Sequence, residues 1–357
     1  MDYLLTIPSS FILLISLINF LTIRTPDKSS QVQESISVIV PLRNEANNVG
    51  ELVASLKDQE NLTHVEFLLL DDNSEDDTLA LLQQHVSGLS NFHILSGTTL
   101  PQGWIGKTWA LQQLLERSTG EIIVSVDADV RLAPDAISKA VTLLKNAQLD
   151  FLSPYPKQLA LSWSEKLIQP LLQWSWMSTV ILRVAEKSSL ASTVVANGQF
   201  FVVRKAALDQ VSGYDSVRNK VLDDVELARS LVKNGSHGCV ANGAAIASTR
   251  MYSSWTEIKA GYGKSLHAAF GSVLGSAIAI TFVFLTGIAP LIAGITGSSI
   301  GWYAFAAVTL TRAMSAIKVG KTGLDAFLHP FSSALLIYLI IYSWMMRGQV
   351  QWKGRTL

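Results

Sequence analysis

Four stretches of this chain are apolar almost without relief, and between them short apolar runs take turns with amphipathic segments. Tyr3 to Ile23 is 21 residues without a charge, followed by Arg24 and Lys28. At 1.5 Å per helical residue it can cross a bilayer core of about 30 Å. Met1-Asp2 is not basic and no small-residue cleavage site comes after the stretch, so it reads as a retained anchor rather than a signal peptide. Its basic flank puts the polar middle of the chain in the cytoplasm. Ser265 to Thr311 holds 47 residues with no Asp, Glu, Lys or Arg, room for two spans, and Ala326 to Met346 gives 21 more. Three spans after a cytoplasmic domain would carry Arg347, Lys353 and Arg355 outside, against the positive-inside tendency. The segment with His329-Pro330 is the candidate for a re-entrant or interfacial helix. The fourth stretch, "LIQPLLQWSWMSTVIL" (167–182), is just short of a span. It reads either as a helix in the interface, with Trp174 and Trp176 at headgroup level, or as a core helix.

In the polar middle short continuous apolar runs take turns with segments of helical spacing. "SISVIVP" (35–41) predicts a strand, and the helix after it places Val49, Leu52, Val53 and Leu56 on one face. Strands at 65–72, 91–95 and 121–129 alternate with helices around 78–85, 107–116 and 134–145. Continuous Val/Ile/Leu strands between amphipathic helices predict a parallel sheet covered on both faces, with ligands at the carboxyl ends of its strands. Three strands end there in polar residues: Arg43-Asn44-Glu45, Asp71-Asp72 and Asp127-x-Asp129.

Composition agrees with a membrane protein: 49% of the residues are hydrophobic and 16% charged. The 28 basic and 28 acidic residues cancel, so nothing points to nucleic acid. A lone Cys239 excludes an internal disulfide, and the six histidines lack zinc-ligand spacing.

Two like charges one residue apart at a strand end raise each other's cost of ionising, unless a cation sits between them. Oxygen ligands suit Mg²⁺ or Mn²⁺ sharing its shell with phosphates. The alternative is that Asp127 or Asp129 caps the helix near Pro134. Asp71 and Asp72 cannot both be caps, and a carboxylate there could accept from a base or a ribose. Asp223 and Asp224 open another helix, where the dipole alone accounts for one of them. Gly106-Lys107-Thr108 resembles the end of a P-loop, but the earlier glycine would fall at Pro101. Lys107 then reads as a phosphate contact at a helix start or as a surface lysine.

From about Ser35 to Arg250 the chain resembles the family 2 glycosyltransferases, through "VIVPLRNEANNV", "LLLDDNSEDDT", "GWIGKTWAL", "VSVDADV", "ANGQFFVVRKAALDQVSGYD" and "VLDDVELAR" in family order. The resemblance implies a GT-A fold: an α/β domain with a mostly parallel sheet, joined here to transmembrane helices. It implies a nucleotide-diphospho-sugar donor, UDP being the family's commonest nucleotide, and metal-dependent, inverting hexosyl transfer. Pro41 and Glu45 match the nucleoside site, Asp71 its base contact, with Asp72 adjacent. Lys107 matches the family's "GK" beside the donor. Asp127 and Asp129 match the Asp-x-Asp that binds the diphosphate through Mg²⁺ or Mn²⁺. Gly198 and Gln199 fall in the acceptor-side loop. Asp224 matches the general base, and Asp223 replaces the glutamate that precedes it.

The motif of the processive synthases is missing from "TRMYSSWTEIKAGYGKSLHAAF" (249–270), where Arg250 is either a diphosphate contact or an interfacial anchor. The layout resembles the branch that glycosylates membrane lipids, including carotenoid- and hopanoid-associated glycosyltransferases and ceramide glucosyltransferases. The ending "QVQWKGRTL", with Trp352 and Arg355, is similar to that branch's terminus and could reach the diphosphate from the cytoplasmic side; as a basic tail it could instead bind anionic headgroups. The expected organisation is an anchor at 1–24, a catalytic domain at 25–250, a juxtamembrane segment at 251–265 and a membrane domain at 266–357. The expected function is sugar transfer to a lipid hydroxyl in a multi-pass protein of the plasma membrane, with its catalytic domain cytoplasmic. Transfer to polyprenyl phosphate and a non-catalytic nucleotide-sugar-binding protein are the alternatives.

Overall fold

A computed structural model describes residues 2–347 and, by backbone alone, 351–352 and 355–356. The chain runs through α1 (Asp2–Thr22), β1 (Val32–Leu42), α2 (Ala46–Lys57), β2 (Leu62–Asp71), α3 (Thr78–Val86), β3 (Phe92–Ser96), α4 (Gly106–Arg117), β4 (Ile122–Val126), β5 (Val130–Leu132), α5 (Ala136–Asn146) and β6 (Phe151–Tyr155). Every strand and helix read from the apolar pattern between 35 and 145 is present, and Val49, Leu52, Val53 and Leu56 are the buried face of α2. Then come β7 (Lys157–Gln158), α6 (Trp163–Thr179), α7 (Leu182–Ala185), β8 (Phe200–Arg204), α8 (Lys205–Gln210), α9 (Asp223–Lys233), β9 (Gly238–Asn242) and β10 (Ala247–Thr249). The helices α10 (Trp255–Phe270), α11 (Val273–Val283), α12 (Ala289–Ile295), α13 (Ser299–Lys318) and α14 (His329–Met345) complete the bundle, and β11 (Gln351–Trp352) pairs with β12 (Arg355–Thr356).

Seven strands make the main sheet, in the order β3-β2-β1-β4-β8-β6-β9. It is parallel except at β8, which lies antiparallel between β4 and β6. The chain reaches β8 after a long excursion through α6 and α7 rather than by a single crossover helix, which frees its direction. Alternate strand residues feed two cores: Val38, Val40, Val124 and Val126 on one face, Ile39, Leu68, Leu70 and Ile123 on the other. A small second sheet, β5-β10-β7, pairs Thr249 with Val130 and so brings the end of β10 beside the Asp127–Asp129 turn.

Among the described residues, three helices are long and apolar enough to cross a membrane: Tyr3–Thr22, Val273–Ile295 and Leu324–Met345. α1 and α13 lie parallel. Ser10 meets Tyr303 near their starts, the Lys318 ammonium donates to the Phe20 carbonyl at their ends, and Asn242 of β9 bonds the Lys318 carbonyl. Both helices therefore end at the sheet. α14 takes another course. Ser333 packs on Gly287 in the middle of the 273–295 helix, whereas Trp344 donates to Ser276 near its beginning, at 2.7 Å. The Ser343 hydroxyl donates to the Gly263 carbonyl of α10, the helix that leaves β10. α10 itself runs unbroken through the expected divide at 265/266.

α6 takes the second of the two readings given for 167–182. Trp174 does not sit at headgroup level: it is 2% exposed, among Ile12, Ile168, Val308 and Leu339. A buried indole N–H needs an acceptor, and Trp174 donates to the Thr311 hydroxyl at 2.8 Å while standing edge-on to His329. Trp176 packs edge-on to Tyr155 at the end of β6. α6 is a core helix of the bundle, and its exposed tryptophan is Trp163, ahead of the apolar stretch.

Candidate active site

The parallel strands β1, β2 and β4 deliver their polar ends to one edge of the sheet, and two cavities open there. The first, about 640 Å³, is lined by Pro41, Glu45, Asn48, Lys107, Asp127, Asp129 and Arg250 among others. The second, about 470 Å³, has Lys107, Asp127, Asp129, Gly198, Gln199, Asp223 and Asp224 at one end. At the other end are Leu172, Ser175 and Trp176 of α6 with Tyr262, Leu266 and Ala269 of α10. Lys107, Asp127, Asp129 and Met251 belong to both.

At the junction the charges are interlocked. The Lys107 ammonium is 2.8 Å from Asp127 Oδ1. Burial alone would lower this ammonium, but the Asp127, Asp223 and Asp224 carboxylates outweigh burial and hold it above the usual lysine range. Asp129 accepts from the Thr249 hydroxyl at 3.0 Å; burial, then the Asp127 charge, pushes its carboxyl up to about 6. Asp223 is buried at the start of α9; burial, then the repulsion of Asp224 and Asp127, raises it to about 6 against the pull of Lys107.

Asp224 is held by backbone. Its Oδ2 accepts from the Gly198 N–H at 2.6 Å and its Oδ1 from the Val225 N–H at 2.8 Å. Burial raises its pKa against Lys107 and these two donors. Gly198 must be small here, because a Cβ on it would lie 3.1 Å from Asp224 Cβ. Gln199 is buried, accepts from Gln158 at 2.8 Å, and offers its carbonyl to the Asp127 N–H.

Asp71 and Asp72 line neither cavity. Both are buried at the end of β2, where Asp71 Oδ2 accepts from the Ser74 N–H and Asp71 Oδ1 has no partner among the described residues. Arg43 braces the loop above by donating to the carbonyls of Asp72 and Asn73. Arg250 lines the first cavity while ion-paired to Glu165. The side chains of Trp352 and Arg355 lie outside the described residues.

Thr249, Met251 and Glu165 did not stand out in the sequence. Thr249 adjoins Arg250 but reaches Asp129 only through the pairing of β10 with β5, and Glu165 looks like an ordinary helix-cap acid. No group of three or more His, Cys, Asp or Glu side chains is assembled for a metal among the described residues. The Asp127–Asp129 pair nonetheless fits Mg²⁺ or Mn²⁺, which bind through one or two carboxylates and complete the shell with phosphates and water.

Residues 37–211 match the family model for Glycosyl transferase family 2. The beta-monoglucosyldiacylglycerol synthase of Trichormus variabilis is 27% identical over 195 residues, 54% of this chain and 40% of the synthase. The chain thus spans about two fifths of that relative's length. The 4,4'-diaponeurosporenoate glycosyltransferase of Staphylococcus aureus is 22% identical over 338 residues, 90% of this chain and 88% of that one. Among solved structures, a mannosyltransferase from Pyrobaculum calidifontis, in complex with GDP-Man and Mn²⁺, superposes with a TM-score of 0.52 at 15% identity, covering 94% of this chain and 98% of the other. That likeness extends to the fold. The segment 37–211, with the sheet edge and its Asp-x-Asp turn, belongs to glycosyl transferase family 2 and has the GT-A-like α/β fold.

Proposed function

We propose that the protein moves a hexose from a nucleotide-diphospho-sugar to a hydroxyl of a membrane lipid, inverting the anomeric centre. The observation that carries this reading is the second cavity. It starts at Asp224 and Gly198 and runs to Leu172, Trp176, Leu266 and Ala269 on helices packed into the membrane bundle. An apolar acceptor stays in the bilayer, and such a passage lets its hydroxyl come up to the carboxylate.

In this reading the donor occupies the first cavity, its nucleoside near Pro41 and Glu45 and its diphosphate beside Lys107, Asp127 and Asp129. Asp71 reaches the base only after some movement of the loop above it. Mg²⁺ or Mn²⁺ on Asp127 and Asp129, when bound, would neutralise charge on the leaving diphosphate. Lys107 adds a fixed positive charge at the same place. Asp224 takes the acceptor hydroxyl proton as the new C–O bond forms and the sugar–phosphate bond breaks. Two backbone N–H groups fix its orientation. Asp223 faces Lys107 and keeps its charge in place.

The names of the synthase and the diaponeurosporenoate glycosyltransferase support a lipid or carotenoid acceptor, and GDP-Man with Mn²⁺ in the structural neighbour supports a metal-assisted nucleotide-sugar donor. The course of α14, back toward the sheet side, supports a C-terminus on the same face as the catalytic domain, which we assign to the cytoplasmic side of the plasma membrane. A second reading, transfer to a lipid phosphate, draws support from Lys220 and Lys264 on the acceptor cavity. A phosphate acceptor needs no base, so activity that survives in Asp224→Asn would favour it.

The test is a titration of the detergent-purified full chain with UDP and GDP, with and without Mn²⁺, beside Asp129→Asn. Metal-dependent binding of one nucleotide, lost in the variant, together with transfer from the matching sugar nucleotide to an extracted lipid, is expected. A folded sample that binds neither nucleotide would sink the proposal.

A further inference from the structure

Glu165 is the least exposed acid among the described residues, at 0%, and carries more hydrogen bonds than a helix cap requires. Its Oε2 accepts from the Leu161 N–H at 2.7 Å; its Oε1 accepts from the Ser162 hydroxyl at 2.7 Å and the Ser162 N–H at 3.3 Å. These bonds complete the capping box that opens α6. The same carboxylate also accepts from Arg250 Nε at 3.3 Å and Nη2 at 3.0 Å. Burial would raise the Glu165 carboxyl, but the guanidinium and the N–H donors outweigh it and hold it down at about 2, so the bridge is fully charged wherever the protein works.

Arg250 lines the first cavity, beside a residue that lines both. It lies between Thr249, which holds Asp129, and Met251, which lines both spaces. One edge of its guanidinium fork is used on Glu165, and Nη1 makes no hydrogen bond to the described residues. A fork with one edge fixed and the other open, on the wall that also carries Lys107 and Asp129, suits bidentate or bridging contact with phosphate oxygens. Its anchor is the first turn of α6, whose later turns supply Leu172, Ser175 and Trp176 to the acceptor cavity.

We propose that Glu165 is a positioning residue for the donor: it fixes the Arg250 guanidinium so that Nη1 meets the diphosphate, and it thereby ties donor binding to the helix that walls the acceptor cavity. This role rests on the first cavity being the donor site.

Glu165→Gln separates this role from capping, because glutamine also serves at that position of a capping box. The full-length wild type, Glu165→Gln, Arg250→Ala and the double variant are titrated with UDP, GDP, UMP and GMP in the presence of Mn²⁺, beside thermal unfolding. Loss of a hydrogen-bonded charge contact predicts about tenfold or more weaker binding of the diphosphate in Glu165→Gln, with the monophosphate and the melting temperature unchanged. Arg250→Ala should match it, and the double variant should be no worse than Arg250→Ala. Glu165→Gln with wild-type diphosphate affinity, equal losses for mono- and diphosphate, or additive losses in the double variant would overturn the proposal. A wild type that binds no nucleotide would instead remove the donor reading itself, and this proposal with it.

Discussion

Gly198→Ala is the smallest change that reaches the proposed base without touching it. The added methyl would stand 3.1 Å from Asp224 Cβ and 3.4 Å from its Oδ2. Unstrained carbon contacts lie at about 3.5–4.0 Å, so one of the two side chains must yield by roughly half an ångström. Asp224 opens α9 and is tied by the Val225 N–H, while Gly198 leads into β8, so the carboxylate can relieve the clash only by lengthening the 2.6 Å bond from the Gly198 N–H. Misplacement of a reacting group by 1 Å can cost about 10²-fold in rate, so half that displacement should cost roughly tenfold, about 1.4 kcal/mol in the barrier. The loss belongs to kcat. The donor cavity is unaltered, so the donor KM and nucleotide affinity should stay at wild-type values. The assay is transfer of radiolabelled sugar to lipid by the purified full chain at saturating donor, with nucleotide titration in parallel. Asp224→Asn sets the floor, with a loss of about 10²–10⁴-fold expected for a general base. Gly198→Ala added to Asp224→Asn should cost nothing more. A Gly198→Ala enzyme with undiminished kcat, or one that loses nucleotide binding and rate together, would refute the account of Asp224 as a base positioned by the Gly198 N–H.

The same geometry bears on stability and on acceptor access. Asp223 has a folded pKa of about 6 against the ordinary 3.8 of an aspartate, so the folded state holds its proton more tightly and stability falls as pH rises between those values. Above pH 6 the penalty persists in full, so Asp223→Asn should raise the melting temperature at pH 8 and change it little at pH 4; an equal rise at both would contradict the assignment. Ser175→Trp places an indole in the acceptor cavity. It should raise the lipid KM and leave nucleotide binding untouched, and unchanged lipid kinetics would remove that cavity from the acceptor path.

What the sequence determined by itself was everything carried by local period and composition. The alternation of continuous apolar runs with helical spacing placed the strands and helices from 35 to 145 apart from β5, because each element must bury its apolar face or stripe against the next. The length of the charge-free run located α1, and the Asp-x-Asp spacing put two carboxylates at the end of one strand whatever the rest of the chain did. Tertiary structure decided what depends on residues far apart in the chain. Whether Trp174 belonged to an interfacial or a core helix stayed open until Thr311, 137 positions away, supplied its acceptor. β8 turned antiparallel because it returns from an excursion through α6 and α7 rather than over a single crossover. Asp71, at the right strand end, sank beneath its own loop, since burial depends on what the next turn folds over. The bond from Gly198 to Asp224, the bridge from Arg250 to Glu165 and the passage from Asp224 to α10 each join segments that no window of sequence contains together. A local pattern fixes which way a side chain faces along its own element, and only the packing of elements fixes what it then meets.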